Sequence, residues 1–119
     1  MIDAAQMQGM PTPPEEGKDQ QDVGKFVVAK LAQWGMPWTA RDHEKRIDFG
    51  EKKYGQRLRT NNGRNALLDC YQECLDAISY SAQHCLEGGG DDLMKAFATL
   101  AEEIGTKLDE RSDDGSRRA

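Results

Sequence analysis

Apolar residues recur at steps of three and four along most of this chain, the period of an amphipathic helix. In residues 19–34 they are Val23, Phe26, Val27, Leu31 and Trp34, with Lys30 on the same face. Gly35-Met36-Pro37 ends that segment. Trp38 follows in the connection, where a tryptophan either plugs the end of a bundle or stacks on a nucleobase. Thr39 is placed to N-cap a second helix, with Asp42 three residues on, as in a capping box. That helix runs to Tyr54 and stops at Gly55. Gly50 within it offers another helix a close approach, at some cost in propensity. Residues 56–64, QRLRTNNGR, read as a loop, with Asn61-Asn62-Gly63 as its turn.

The most apolar stretch is residues 65–87, NALLDCYQECLDAISYSAQHCLE. Leu68, Tyr71, Leu75, Ile78, Ala82 and Cys85 form its stripe, which Leu67, Cys74, Ala77 and Ser81 widen. Gly88-Gly89-Gly90 closes it. Asp91 or Asp92 then caps a last helix to about residue 109, whose face is Leu93, Phe97, Leu100, Ala101, Ile104 and Leu108. Strand-like alternation and internal repeats are lacking. The expected fold is all-α: a bundle of about four helices over residues 19–109, between flexible tails at 1–18 and 110–119. So short a helical chain leaves much surface open, and a dimer or tetramer is expected.

Composition narrows the chemistry. Charged residues make up 31% and the net charge is −5, with no basic stripe interleaved with aromatics, so a nucleic-acid partner is not expected. Cys70, Cys74 and Cys85 lie in one helical segment with no second cluster. They read as reduced core thiols, which points to the cytoplasm rather than to a disulfide scaffold or a zinc site. Neither a secretion signal nor the roughly 20 apolar residues of a membrane span is expected from the pattern.

The chemically suggestive feature is a set of carboxylates. Asp48-x-x-Glu51 and Glu73-x-x-Asp76 lie on consecutive helices, with residues 52–72 between them. Positions i and i+3 project to one side of a helix. Two antiparallel helices could therefore face such pairs at each other and make an oxygen-rich site for Mg²⁺ or Mn²⁺. No lysine or arginine occurs from residue 65 to 94, so Asp69, Glu73 and Asp76 lack a cationic partner on their own helix. An ordinary solvated helix alternates its signs. Against this, the acidic stripe sits opposite the Leu68–Leu75–Ile78 side and would face water in a two-layer bundle. A metal site there requires this helix to be covered on both sides. Taken alone, Asp48 and Lys52 are also an ordinary i,i+4 ion pair, and Glu44 a solvated charge. His43 and His84 are isolated and read as surface or packing histidines.

With these residues in view, the sequence resembles a known family. D48-F-G-E51 followed by E73-C-L-D76, within DFGEKKYGQRLRTNNGRNALLDCYQECLDAISY, resembles the metal motif of MazG-like all-α nucleoside triphosphate pyrophosphohydrolases, in particular short bacteriophage and actinobacterial members. The likeness spans residues 41–87. Asp48 departs from the glutamate usual at that position, and Glu44, one turn earlier, could supply a ligand instead. The resemblance implies cleavage between the α and β phosphates of a (d)NTP, giving a monophosphate and pyrophosphate in phage nucleotide-pool control. dGTP is one candidate substrate. Asp48, Glu51, Glu73 and Asp76 would hold the metal, and Glu44 or Glu51 would orient the attacking water. Lys52, Lys53, Arg57 and Arg64 would meet phosphates; Trp38, Tyr54, Asn61 and Asn62 would meet base or sugar. The competing expectation is a non-catalytic helical module that binds nucleotides or proteins.

Overall fold

The computed structural model describes residues 7–9 and 19–118, and the side chains of those up to 111. Most of the two expected tails, residues 1–6, 10–18 and the side chains beyond 111, lies outside that description. Among the described residues the chain is all-helical, with four helices: α1 (Val23–Gln33), α2 (Pro37–Tyr54), α3 (Ala66–His84) and α4 (Asp92–Arg118). They form two compact units. One holds α1 and α2; the other holds α3, α4 and the N-terminal residues 7–9.

In the first unit, α1 begins at Val23, the first apolar position of its pattern, rather than at residue 19. Asp22 is its N-cap, and its Oδ1 accepts from the Lys25 N–H at 3.2 Å. The predicted face is packed only in part: Val23, Val27, Lys30 and Leu31 are half-buried, whereas Phe26 and Trp34 are exposed. Buried Gly24 takes their place against α2. A Cβ there would lie 2.8 Å from Ile47 Cδ1, so the missing side chain sets the helix spacing. Gly50, the glycine expected to permit close approach, has open space around it. Helix α2 starts at Pro37 with Met36 as N-cap and no side-chain cap, so Thr39 lies in its first turn. Proline at the first helical position gives up only an N–H that has no helical partner anyway. Gly55 ends the helix in the left-handed conformation, φ +76°, and its N–H reaches Glu51 O at 2.8 Å.

The loop after α2 folds back on the segment that precedes α1. Val23 N–H donates to Leu58 O at 3.1 Å, Thr60 N–H to Gln21 O at 3.0 Å, and Asn61 Nδ2 to Asp19 O at 3.1 Å. Asn61 itself is left-handed at φ +53°, a conformation asparagine tolerates better than most residues. This backbone strap closes the open end of the α1–α2 pair.

In the second unit Asn65 caps α3, its Oδ1 accepting from Leu68 N–H at 3.1 Å. Leu68 and Cys74 are buried with Ala101, Ile104 and Leu108 of α4, and Leu67, Tyr71 and Ile78 pack around them. Ser81 is buried as well; its hydroxyl is satisfied by Ala77 O at 2.8 Å and Ile78 O at 3.0 Å. Cys70 is exposed rather than a core thiol, Cys85 is intermediate, and all three cysteines are free. A π-helical turn, Cys85–Gly89, ends the α3 segment, with Gly88 at φ +100°. The His84 ring packs where a Gly89 side chain would stand, which gives this histidine a packing role. Helix α4 continues to Arg118, past residue 109 where its apolar face stops.

Candidate carboxylate site

The upstream acids lie on the outer side of α2. Ala40 is buried and His43 and Ile47 are half-buried, at the three- and four-residue steps of a packed face; Glu44, Asp48 and Glu51 are on the exposed one. Asp48 and Glu51 nevertheless share one cation. Arg57 Nη1 lies 3.3 Å from Glu51 Oε2 and 3.9 Å from Asp48 Oδ1, while its Nε donates to Asp22 Oδ2 at 2.8 Å. Asp22 thus caps α1 with one oxygen and holds Arg57 with the other. Burial raises the Asp22 pKa, but the Lys25 N–H and the Arg57 guanidinium outweigh it, so the carboxyl titrates below the usual range. The pairing with Asp22 and Glu51 likewise raises Arg57 despite some desolvation. Asp22 had no signal in the sequence beyond its being a good cap residue before an apolar run. Its link to Arg57 depends on the loop folding back.

Of the cationic candidates, Arg57 is therefore committed to carboxylates in this structure. Lys52 and Lys53 are exposed, and Lys53 Nζ lies 5.4 Å from the Tyr54 ring centroid. Arg64 is half-buried, and its backbone N–H donates to Asn62 Oδ1 at 3.1 Å within the turn. Asn61 and Asn62 both use side-chain atoms to build the loop. Trp38 lies within the first turn of α2, is 74% exposed and carries the Arg41 guanidinium 5.2 Å from its ring centroid. It does not plug a bundle end.

The downstream acids belong to the other unit. Asp69 is half-buried near the start of α3 and accepts from Gln8 Nε2. Glu73 and Asp76 follow on the exposed side, and among the described residues neither has an ion pair. The groove between α3 and α4, about 460 Å³, is lined by Tyr71, Leu75, Ile78, Ala101 and Gly105 among others, and by none of the candidate ligands.

Each pair alone offers two hard oxygen donors, a fit for Mg²⁺ or Mn²⁺ in kind but short of the six ligands those ions take, the rest of which would come from water and substrate. Within neither unit do three or more His, Cys, Asp or Glu side chains among the described residues gather to hold a metal. No described helix is long and apolar enough to cross a membrane. Comparison with protein-family models, curated proteins and solved structures finds no match to this chain.

Proposed function

We propose that this chain is a metal-dependent nucleoside triphosphate pyrophosphohydrolase of MazG-like type, acting as a dimer or tetramer. The observation that carries the reading is the pair Glu73 and Asp76: two exposed carboxylates one turn apart, without an ion pair to any described residue, on a helix that has no lysine or arginine. Unpaired acids of this kind repel each other and gain from a divalent cation. Asp48 and Glu51 supply the second pair, already drawn together around a cation, the Arg57 guanidinium. Glu73, Asp76, Asp48 and Glu51 would hold Mg²⁺ or Mn²⁺, which when bound supplies Lewis acidity and a more acidic water. Glu44, or Glu51 where it is free, would orient that water. Lys52, Lys53, Arg57 and Arg64 would meet the phosphate charge, Arg57 by leaving Asp22. Base and sugar would meet Trp38, Tyr54, Asn61 and Asn62. Specificity for dGTP is one form of the proposal.

Pyrophosphate release from each dNTP and NTP, with Mg²⁺ or Mn²⁺, tests it. Release should vanish with EDTA and fall at least 100-fold in Glu73→Gln, whose helical circular dichroism should match the parent. Absence of turnover with every nucleotide, or full activity in Glu73→Gln, refutes the enzyme reading. A second reading, a non-catalytic module that binds proteins or nucleotides, is favoured by the exposed apolar side chains Phe26, Trp34, Trp38 and Leu86. It predicts a metal- or nucleotide-dependent rise in melting temperature without turnover.

A further inference from the structure

Gln8 is held at the start of α3 by its backbone and its side chain together. Its N–H donates to Gln72 Oε1, and its carbonyl accepts from Gln72 Nε2 at 2.9 Å. Its own amide repeats the pattern toward the backbone of Asn65: Oε1 accepts from Asn65 N–H at 3.0 Å, and Nε2 donates to Asn65 O at 2.9 Å. Nε2 also donates to Asp69 Oδ1. Met7, beside it, packs against the cluster of Leu68, Cys74, Ala101, Ile104 and Leu108. Two bidentate amide pairs and one apolar anchor thus meet within residues 7–9, a segment that reads as tail from its sequence. Main-chain pairing with a pocketed side chain is how folded domains take extended peptides. The pair with Asn65 is exposed, so on release water takes the place of each partner and only the small net worth of an exchanged hydrogen bond is lost.

We infer that the N-terminal turns of α3, at Asn65, Asp69 and Gln72, form a peptide-recognition slot whose occupant is the chain's own segment around Gln8, held exchangeably. Among the described residues these contacts gather on Asn65, Asp69, Gln72 and the apolar cluster beside them, outside the hydrogen-bond ladder of α3, so the segment can leave without unwinding a helix. Its departure takes the Gln8 amide away from the Asp69 carboxylate, one helical turn before Glu73. None of this depends on the enzyme reading.

The test uses a fluorescein-labelled peptide of residues 4–10, AAQMQGM, and full-length protein, with binding read by anisotropy. The wild-type chain fills its own slot, so the peptide should bind full-length Gln8→Ala at least tenfold more tightly than wild type. A peptide carrying the same Gln8→Ala change should lose at least tenfold in affinity. Hydrogen exchange gives a second readout: the Asn65 N–H should exchange faster in Gln8→Ala, and added wild-type peptide should restore its protection. The inference is overturned by equal binding to both proteins, by binding to neither, or by a Gln8→Ala peptide that binds as well as the parent. It is also overturned if Gln8→Ala loses its helical signal, because the segment would then be a fixed part of the fold.

Discussion

Gly24→Ala tests what sets the packing of α1 against α2. The added Cβ would stand 2.8 Å from Ile47 Cδ1 and 3.2 Å from both Ile47 Cγ1 and Cγ2. Rotation about χ2 can move Cδ1 away, but Cγ1 and Cγ2 are fixed to Cβ by χ1, and a β-branched χ1 is stiff in a helix. The helices must therefore separate or Ile47 must leave its rotamer. Overpacking of this kind costs about 1–3 kcal/mol. Alanine returns up to about 1 kcal/mol of helix propensity, and less than that in a first turn. The net expectation is a loss of roughly 0.5–2 kcal/mol. Ile47→Val removes Cδ1, the closest atom, and by itself costs about 0.5–1.5 kcal/mol. Combining the two should recover part of the clash, a coupling of about 0.5–1 kcal/mol for side chains in contact. Urea unfolding followed by far-ultraviolet circular dichroism, on the parent, both single variants and the double, measures that coupling. A stabilising Gly24→Ala, or strict additivity, refutes the packing argument.

Two further outcomes follow from the ionisable groups. The Asp22 carboxyl titrates lower in the folded chain than when unfolded, so the unfolded state binds more protons in between; the resulting stability is full above about pH 4 and is lost as pH falls through the folded value. Asp22→Asn, which keeps a good N-cap, should flatten that acid-side loss in urea titrations between about pH 2 and 5; an unchanged profile rejects the Arg57 pairing as its source. Among the thiols, Cys70 is exposed, whereas burial and then the neighbouring Cys70 raise the Cys74 pKa. Ellman's reagent should modify Cys70 first and Cys74 only on unfolding, read by mass spectrometry; comparable rates refute that assignment.

The helices were legible because their signal is local. Periodicity, Gly55, the Asn61-Asn62-Gly63 turn and the glycine run at 88–90 each act within a few residues, and the four helices follow them. The face of α1 was legible only in part, with Val23, Val27 and Leu31 half-buried as their spacing predicts. Phe26 and Trp34 are the bulkiest residues on it, and bulk is read as burial, yet the contact with α2 is made where the side chain is missing altogether, at Gly24. Trp38 failed for a related reason: Pro37 ends one helix pattern and begins the next helix, and only the second role applies. Asp22, Arg57 and Gln8 are beyond local reading, because their partners are separated from them by whole helices in sequence.

The acids of α3 divide by the company they keep. Asp69 lies closest to the helix N-terminus, where the backbone dipole favours a carboxylate, and Gln8 gives it a hydrogen-bond donor as well. Glu73 and Asp76 have neither advantage: they lie beyond the first turn, where the dipole has faded, and no described cation pairs with them. Solvent makes their repulsion small while they stay exposed, so a lone chain tolerates the arrangement. The cost appears only when a second surface covers this face, since two like charges moved toward lower dielectric require a counter-charge. Any assembly that buries the outer side of α3 must therefore bring a cation with it, whether a side chain of the covering surface or a metal ion. Because α3 has no lysine or arginine to offer, the source of that cation separates the two readings of this protein. A covering arginine or lysine makes the face an ordinary interface. A divalent ion makes it the half-site that the sequence first suggested.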